Sequence, residues 1–351
     1  IPAYDMVLTY GLEHLREMGD EAAAAYPPDA SDYAARQAQW TAMDAAIDAL
    51  ATYCRRHAVL AEAMASSDVR PWRRRELKAI AEICGWIATE PPRTFHEALQ
   101  LVWFVHLGVE VDDGGIGHSL GRFDQYLWPF LQRDLEHGGL DADEARELVA
   151  CFWIKLNREG DDIAHMSLGG QTAAGEDATN PLTTLCLQVE RWISRKQPNL
   201  SIRVHPGTPE TLWHEIAETI CCGAGHPAIF NDDVIVPGLV DYGVPVETAR
   251  DYAEVGCVET FLPGQSAPWT DCYLNLTKCL ELALNDGCEL PTDTRLGPAT
   301  GEPAAFDTFE TLFAAYEAQV KHTLYGMLSA KDDCDAIVSE HRPAPLNAAV
   351  V

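Results

Sequence analysis

Apolar residues recur every three or four positions through the first part of the chain. This spacing holds over 4–66, where Pro27-Pro28 supplies a break between helices. A second helical segment is predicted over 71–88, and a third begins at Thr94. Because the third segment is apolar on most of its sides, we expect it to be buried. The front of the chain is therefore predicted to be helical.

The pattern changes towards the middle of the chain. A glycine-rich connection is expected over 112–121, and short stretches bounded by glycine, proline and asparagine later alternate with stretches of helical length. The expected strands are 163–168, 200–205, 228–236 and 255–258, and the expected helices are 125–135, 141–156, 180–195, 209–222, 246–253 and 308–340. Parallel strands need a long crossover connection, which is usually a helix. The alternation therefore predicts an α/β fold with a parallel sheet and helices before and after it.

The composition is that of a globular, acidic protein. With 351 residues, 47% apolar and 23% charged, the chain can bury a large core, which excludes disorder and a disulfide-stapled small domain. The 54 acidic residues outnumber the 25 basic ones and give a net charge of −29, so the surface is a poor match for nucleic acid. Residues 1–20 lack a signal-peptide pattern, and no apolar run reaches the ~20 residues that span a bilayer. A soluble, cytoplasmic protein without a membrane partner is expected, and its acidity fits either a salt-rich cell or simple solubility.

Eleven cysteines are scattered through the chain without a C-x-x-C pair. A disulfide framework or a zinc ribbon needs a regular spacing that this sequence lacks. Thiols in apolar, helix-like segments usually act as small buried hydrophobes in a reducing compartment. We expect that role for ten of them, and we expect no bound metal or small-molecule cofactor.

One cysteine differs from the others. The predicted helix over 246–253 ends before Gly256, and the path from Cys257 to Glu259 is expected to be extended, at the carboxyl end of a connection, where α/β folds place catalytic groups. In an extended stretch residues i and i+2 face the same side, about 6 to 7 Å apart. The thiol and the carboxylate would then share one pocket, with Val258 turned away. The spacing alone fits both a catalytic pair and a buried cysteine beside a salt-bridged glutamate.

The residues around Cys257 resemble those of a known family. The string DYAEVGCVE at 251–259 resembles the active-site cysteine loop of glycyl radical enzymes, the pyruvate formate-lyase superfamily. Five further segments resemble the same family in the same order: TFHEALQ at 94–100, GRFDQY at 121–126, the glycine pair and DATN within 169–180, PNLSIRVH at 198–205, and 227–232. Together these segments extend over nearly the whole chain.

The resemblance implies a fold and a domain organisation. The fold is a barrel of two parallel half-sheets wrapped by helices, with the cysteine loop projecting into its centre. Residues 1–351 would form part of one such domain, mainly helical over 1–160, with barrel strands and the cysteine loop over 161–300, and helical over 301–351. The family's glycyl radical motif is not found before Val351, so the C-terminal glycyl radical domain is expected to be absent. The chain is expected to be a fragment of a longer enzyme, the alternative being a degenerate paralogue without its own radical.

The resemblance also implies a chemistry. In this family a glycyl radical is installed by a separate radical S-adenosylmethionine activating enzyme. It oxidises the loop cysteine to a thiyl radical, which takes hydrogen from a small organic substrate. Cys257 is the matching position, and we expect its thiol to be buried and uncharged. The resemblance further suggests a homodimer.

The neighbours of Cys257 favour one branch of the family. Val258 stands where pyruvate formate-lyase has a second cysteine, so this chain lacks the second thiol of that enzyme. A reaction like formate acetyltransfer is therefore less favoured, although it remains an alternative. The Cys-x-Glu form resembles the eliminases and decarboxylases, although Thr260 replaces their frequent proline. We therefore predict radical dehydration of a small 1,2-diol or related polar alcohol. Arylacetate decarboxylation, C–N cleavage of the choline or hydroxyproline type, and a catalytically inactive scaffold stay open.

The same resemblance suggests roles for individual residues. Cys257 abstracts hydrogen and Glu259 acts as the general base. Thr270 and Asp271 lie where enzymes of the glycerol dehydratase type contact substrate, and His118 resembles a substrate-contacting histidine of that branch. Two carboxyl groups in one dry site tend to separate their pKa values, which gives one base and one acid. A histidine in a glycine-rich loop is also often a surface residue.

Overall fold

The computed structural model describes residues 1–67, 69–113, 117–157, 163–265 and 273–341. Within these ranges the chain forms two compact units, one inside Ile1–Ala267 and one inside Pro268–Pro343. The first unit contains a parallel sheet and most of the helices, and the second is largely helical. No helix in the described ranges has both the length and the apolar character needed to cross a membrane.

The helices and strands follow the predicted alternation. In chain order they are α1 (Tyr4–Ala25), α2 (Tyr33–Ala65), α3 (Pro71–Trp86), α4 (Phe95–Asp113), β1 (Ser119–Arg122), α5 (Phe123–His137), α6 (Ala142–Leu156), β2 (His165–Gly169), α7 (Pro181–Ile193), β3 (Asn199–Val204), α8 (Glu210–Cys221), β4 (Ala228–Asn231), α9 (Asp232–Asp241), α10 (Val246–Ala249), β5 (Ala253–Val255), β6 (Glu259–Phe261), α11 (Leu276–Ala283) and α12 (Phe309–His341). The predicted helical front is confirmed. The alternation begins earlier than expected, because β1 lies partly in the stretch predicted as a glycine-rich connection.

Strands β1 to β4 form one parallel sheet in the order β1-β2-β3-β4. In its register His165 pairs with Asn199 and Gly169 with Arg203, so β2 and β3 begin at the same edge. Each crossover between neighbouring strands contains at least one helix, as parallel pairing requires. Strands β5 and β6 form a separate antiparallel hairpin. The predicted α/β class with a parallel sheet is confirmed.

The sheet has an apolar face and a polar face, since successive side chains of a strand point to opposite sides. The apolar face joins the main hydrophobic core with the surrounding helices through Met166, Leu168, Leu200 and Ile202. The alternate positions are also buried but polar: His165, Ser167, Ser201 and Arg203. Burying polar groups costs free energy unless they are hydrogen-bonded, so this face needs a polar partner.

Local sequence signals begin several of the helices. In α6, Asp141 accepts a hydrogen bond from the backbone N–H of Glu144 at 2.8 Å, and the Glu144 side chain accepts from the Asp141 N–H at 3.0 Å. Helix α7 begins at Pro181 after Asn180, whose side-chain oxygen accepts from the N–H of Leu182 at 2.9 Å. Helix α4 is buried along most of its sides, which confirms its predicted burial.

Two expected elements end earlier than predicted. The strand expected over 228–236 stops at Asn231, because the Asn231 side chain accepts a hydrogen bond from the backbone N–H of Asp233 at 3.0 Å and begins α9. The helix expected over 246–253 is limited to α10, and Ala253 already belongs to β5. Short apolar runs fit a strand and a helix equally well, which explains both errors.

The described cysteines are free thiols that differ in burial. Four are buried as expected: Cys54, Cys84, Cys186 and Cys279. The expectation is wrong for four others that lie exposed on helices or at their ends: Cys151, Cys221, Cys222 and Cys334. Cys288 is half-buried, and Cys272 lies outside the described residues. Amphipathic helices place residues on a solvent-facing side as well, so helical spacing alone does not decide burial.

The second unit is built on α11 and α12, which pack against each other. Gln319 of α12 is buried, and its side-chain amide donates to the carbonyl of Pro298 at 2.7 Å and the hydroxyl of Thr300 at 3.0 Å. These bonds attach the long connection between the two helices to α12.

Candidate active site

Cys257 lies at the tip of the β5–β6 hairpin. Val255 pairs with Glu259 across the hairpin, and Gly256, Cys257 and Val258 form the turn. The expectation of an extended path from Cys257 to Glu259 is therefore wrong. The chain reverses here because Gly256 has a φ of +58°, in the region that glycine adopts most readily.

The carboxylate of Glu259 caps this turn. Its Oε2 accepts hydrogen bonds from the backbone N–H of Cys257 at 2.8 Å and of Val258 at 2.9 Å. Partial burial raises the pKa of Glu259, but the backbone N–H groups outweigh burial and the net effect lowers it. A Cβ at Gly256 would lie 2.9 Å from this Oε2, so glycine also leaves room for the carboxylate. Glu259 is therefore ionised at neutral pH and held against the backbone of the cysteine.

The thiol of Cys257 is exposed in the described chain, so its expected burial is wrong. The base of the turn at Gly256 is buried against the sheet, whereas Cys257 and Val258 project past it. An exposed thiol at the tip of a hydrogen-bonded turn is open to a substrate or to another polypeptide segment.

The hairpin lies on the polar face of the parallel sheet. The carbonyl of Gly256 accepts hydrogen bonds from His165 Nδ1 at 2.9 Å and from Asn199 Nδ2 at 2.7 Å. The hydroxyl of Ser119 donates to the carbonyl of Glu254 at 2.6 Å. Ser119, His165 and Asn199 are the first residues of their strands, so the turn sits at the amino ends of β1, β2 and β3. The rule that α/β folds place catalytic groups at carboxyl ends of strands does not describe this turn.

Glu254, on β5, has a fully buried carboxyl group surrounded by hydroxyl groups. Ser167 and Ser201 both contact its Oε2, Ser201 at 2.9 Å. The Ser167 oxygen also accepts a hydrogen bond from the backbone N–H of Glu254 at 3.0 Å. Burial raises the pKa of Glu254, although the Ser167 hydroxyl and Arg203 act in the opposite direction. The environment therefore favours the neutral acid.

His165 connects this buried cluster to the turn. Its Nε2 lies 3.0 Å from the Ser201 hydroxyl, and its Nδ1 contacts the Gly256 carbonyl. Burial lowers the pKa of His165 to about 4, so the ring is neutral at neutral pH. A neutral imidazole has one donor and one acceptor nitrogen. Because a carbonyl only accepts, Nδ1 carries the hydrogen.

Residues at the carboxyl end of the sheet bind the segment that directly precedes the β5–β6 hairpin. Arg203 and Asp232 form a fully buried ion pair with two N–O distances of 3.0 Å. Arg203 also donates to the Tyr252 carbonyl at 2.6 Å, and its guanidinium lies 3.7 Å from the centre of the Tyr252 ring. Arg122 donates to the carboxylate of Asp251 at 2.9 Å. The hairpin is therefore fixed at both ends of the polar face.

The structure places three of the predicted site residues at or beside the turn. Cys257 and Glu259 share it. His118 is half-buried directly before β1, and the adjacent Gly117 packs on Gly256, since a Cβ at Gly117 would lie 3.4 Å from the Gly256 Cα. The other two predicted contacts lie outside the described residues: Thr270 and Asp271.

Sequence reasoning missed Glu254, His165 and Ser201. The sequence pattern that could have indicated this polar cluster is a polar residue at every second position of two strands. That pattern is present in HMSLG of β2 and in NLSIRV of β3. Polar residues on a strand that is buried on both faces indicate a polar partner inside the fold.

The groups around the turn suit transfer of hydrogen atoms and protons. They are a thiol, carboxyl groups, hydroxyls and an imidazole. Within the part of the chain that the structure describes, no group of three or more histidine, cysteine, aspartate or glutamate side chains is arranged to hold a metal ion.

The chain is similar to curated enzymes over most of its own length. It is 37% identical over 335 residues to an isethionate sulfite-lyase of Nitratidesulfovibrio vulgaris, with 90% of this chain and 40% of the relative covered. It is 32% identical over 332 residues to the trans-4-hydroxy-L-proline dehydratase of Clostridioides difficile, with 90% of this chain and 42% of the relative covered. The chain therefore spans less than half the length of these relatives.

Solved structures share the fold. The glycerol-bound B12-independent glycerol dehydratase of Clostridium butyricum matches with a TM-score of 0.95 at 31% identity, over 100% of this chain and 46% of that one. A structure describing 1,2-propanediol dehydration in Roseburia inulinivorans matches with a TM-score of 0.95 at 32% identity and the same coverage. These neighbours are glycyl radical enzyme barrels, which confirms the predicted fold class. The family described as pyruvate formate lyase-like matches residues 1–351, and the chain belongs to this family.

Proposed function

We propose that the full-length protein containing this chain is a glycyl radical lyase that dehydrates a small 1,2-diol or a related polar alcohol. The observation that carries the proposal is a single turn that bears both the thiol of Cys257 and the ionised carboxylate of Glu259. The thiol serves as the hydrogen-atom carrier and the carboxylate as the proton acceptor. Relatives named for dehydration of 1,2-propanediol, glycerol and hydroxyproline support this reaction type.

The proposed reaction begins when Cys257, as a thiyl radical, takes a hydrogen atom from a carbon that bears a hydroxyl. That hydroxyl becomes more acidic, and Glu259 accepts its proton. The hydroxyl on the neighbouring carbon is protonated and leaves as water, so the first carbon becomes a carbonyl and the unpaired electron moves to the second. The thiol of Cys257 then returns its hydrogen atom. One diol gives one aldehyde and one water, and Cys257 is again a thiyl radical.

We assign the supporting roles to the predicted substrate contacts. Asp271 protonates the leaving hydroxyl and regains its proton from Glu259, while His118 and Thr270 orient the substrate hydroxyls. The contact between Gly117 and Gly256 supports a place for His118 beside the turn. A separated pair of carboxyl pKa values gives one base and one acid, as the step requires.

The protein radical belongs to the proposal as well. Members of this family are glycyl radical enzymes. A glycyl radical installed by a radical S-adenosylmethionine activating enzyme takes the hydrogen atom of the Cys257 thiol, which becomes the thiyl radical while the glycine regains its C–H bond. The exposed position of Cys257 fits such a delivery, because a second polypeptide segment has access to the hairpin tip. We further propose a cytoplasmic homodimer that acts on small polar molecules and does not bind nucleic acid.

Cleavage of a carbon–sulfur bond is a second candidate. The observation that favours it is the 37% identity to an isethionate sulfite-lyase. The first two steps are the same, with a hydroxyl on the carbon that loses hydrogen. Sulfite then leaves from the neighbouring carbon in place of water, and return of the hydrogen atom gives an aldehyde.

The test uses the full-length protein, activated anaerobically with S-adenosylmethionine and a radical activating enzyme. Glycerol, propane-1,2-diol, isethionate and an arylacetate are supplied separately, and aldehyde, sulfite and carbon dioxide are measured. Aldehyde from a diol, lost in Cys257→Ser and retained in the exposed-thiol control Cys222→Ser, supports dehydration. If sulfite is released from isethionate and no diol is turned over, the protein is a carbon–sulfur lyase, the second candidate. Carbon dioxide from the arylacetate with neither of these products overturns both.

A further inference from the structure

We propose that Glu254 is a positioning residue that, as a neutral acid, holds the cysteine turn in place through one directed chain of hydrogen bonds. The chain runs from the Glu254 carboxyl group to the Ser201 hydroxyl, then to His165 Nε2, and from His165 Nδ1 to the carbonyl of Gly256. Gly256 directly precedes Cys257. The effect on turnover rests on the proposed function, whereas the effect on the turn is independent of the reaction.

The donor and acceptor of each hydrogen bond in this series follow from its last bond, the one to Gly256. A carbonyl only accepts hydrogen bonds, so His165 Nδ1 donates across the 2.9 Å contact. The ring is buried and neutral, and its Nε2 is then an acceptor. Ser201 lies 3.0 Å from Nε2 and supplies the hydrogen. The single hydroxyl hydrogen of Ser201 is thereby committed to His165.

The contact between Ser201 and Glu254 therefore takes its hydrogen from Glu254. The two oxygen atoms are 2.9 Å apart, which is a hydrogen-bond distance. A protonated Glu254 supplies the hydrogen that an ionised carboxylate lacks. Ser167 fits the same arrangement, because its oxygen accepts from the Glu254 backbone N–H and its own hydrogen is directed at the Glu254 carboxyl group.

Burial of Glu254 favours the same protonation state. Among the described residues, the second carboxyl oxygen, Oε1, is buried without a hydrogen-bond partner. An ionised carboxylate with an unpaired buried oxygen is more costly than a neutral acid. Arg203 is the cation that opposes this effect, yet burial still raises the pKa of Glu254. His226 and Glu259 act on His165 in opposite directions, and burial keeps that ring neutral.

This series of hydrogen bonds affects catalysis because it fixes the position of the Gly256 backbone, from which Cys257 projects. Without Glu254 the Ser201 hydroxyl loses the partner that fixes its orientation, which loosens the bond from His165 to Gly256, while Asn199 still donates to the same carbonyl at 2.7 Å. We therefore expect a displaced and more mobile turn in a folded protein. Misplacement of a reacting group by about 1 Å lowers the rate about 10²-fold.

The test compares Glu254→Gln with Glu254→Ala in the full-length protein. The glutamine Nε2 donates to Ser201 as the neutral acid does, and Ser167, which contacts the same carboxyl oxygen, can turn its hydrogen to the Ser201 oxygen at 3.3 Å. We therefore expect kcat and hydrogen exchange close to wild type in the peptide that spans 253–261. Alanine removes the first hydrogen bond of the series and leaves Ser201 and His165 without the group that orients them, so we expect kcat to fall about 10²-fold with KM unchanged. Exchange of the peptide is expected to become faster in the alanine variant. Ser201→Ala breaks the same chain by removing one oxygen, and it replaces Glu254→Ala if that variant does not fold.

Glu190 provides the matched control. Its carboxyl group is buried in α7 and accepts a hydrogen bond from Trp153 Nε1 at 2.9 Å, in the core rather than on the polar face. Glu190→Ala is expected to lower stability while leaving kcat and the exchange of 253–261 unchanged. A general loss of stability is thereby separated from displacement of the turn.

Two results would overturn the proposal. If Glu254→Gln loses as much kcat as Glu254→Ala, a neutral donor to Ser201 does not position the turn. If both variants exchange like wild type across 253–261, Glu254 does not position the turn. If the wild-type enzyme turns over none of the candidate substrates, the proposed function fails. The hydrogen-exchange rates of residues 253–261 in the variants and in wild type still test this inference.

Discussion

The backbone N–H of Cys257 donates a hydrogen bond of 2.8 Å to the carboxylate of Glu259. The thiol and the base of the proposed reaction therefore belong to one turn, and each depends on the other for its position. A substitution at Glu259 has two consequences that can be measured separately, one on proton transfer and one on the shape of the turn.

Replacing Glu259 with glutamine affects proton transfer alone. The amide oxygen still accepts from the N–H groups of Cys257 and Val258, but the amide does not take a proton from substrate. We expect the kcat of the full-length enzyme to fall about 10²- to 10⁴-fold, the usual contribution of a general base. Hydrogen exchange of the turn is expected to stay at the wild-type rate. Anaerobic aldehyde formation and exchange mass spectrometry check the two parts.

Glu259→Ala removes the hydrogen-bond acceptor as well, so the backbone amides of Cys257 and Val258 should exchange faster than in Glu259→Gln. A Glu259→Gln enzyme with wild-type kcat would place the general base elsewhere. Faster exchange in the glutamine variant would show that the charge, and not only the oxygen, holds the turn.

Much of the fold was predictable because its signals are local. Asp141 and Asn180 carry the helix-capping chemistry within a few residues of the helices that they begin. Strand–helix alternation likewise depends on periodicity within each segment. These features predicted the parallel sheet before its pairing was known.

The conformation of the cysteine turn was not predictable, because long-range contacts decide it. The Gly256 carbonyl is bound by His165 and Asn199, which lie 91 and 57 positions away along the chain. Spacing within residues 255–259 fits an extended strand and a hairpin turn alike. The resemblance to glycyl radical enzymes made Cys257 and Glu259 the candidate pair, but it contained no information on the buried polar cluster beside them.

Gly256→Ala tests the space between the turn and its capping carboxylate. Gly256 has a φ of +58°, and a Cβ there would lie 2.9 Å from Glu259 Oε2. Gly223 has a φ of +77°, and a Cβ there meets nothing within 4 Å. Alanine at either position is expected to cost about 1–2 kcal/mol of backbone strain, measured by urea unfolding. We expect loss of turnover in Gly256→Ala alone, and equal turnover of the two variants would exclude the clash.

Breaking the buried ion pair of Arg203 is expected to destabilise the fold strongly. Arg203→Met leaves the carboxylate of Asp232 buried without its cation, although the Tyr252 hydroxyl still donates to it at 2.8 Å, and removing one partner of a buried pair typically costs about 3–5 kcal/mol. Arg146 forms an exposed pair with Asp143, and Arg146→Met is expected to cost less than about 1 kcal/mol. Urea unfolding of both full-length variants measures the difference. Similar losses from the two substitutions would mean that the buried ion pair contributes no more to stability than the exposed one.

Stability should depend on pH through Glu190. Burial raises the pKa of this carboxyl group from 4.5 to about 7, against the smaller effect of the Trp153 hydrogen bond. Between these values the folded protein keeps a proton that the unfolded chain has released, so the free energy of unfolding falls as pH rises, by at most about 1.4 kcal/mol per pH unit.

Glu190→Gln removes this titration and retains a side chain of similar size. The free energy of unfolding of the variant, minus that of wild type, should therefore increase between pH 5 and 7 and level off above that range. His165, with its pKa lowered to about 4, contributes the opposite slope below pH 6.5, but it does so in both proteins and cancels in the difference. Urea unfolding at several pH values measures this difference. A difference that stays constant across the range would show that the folded protein ionises Glu190 as readily as the unfolded chain does.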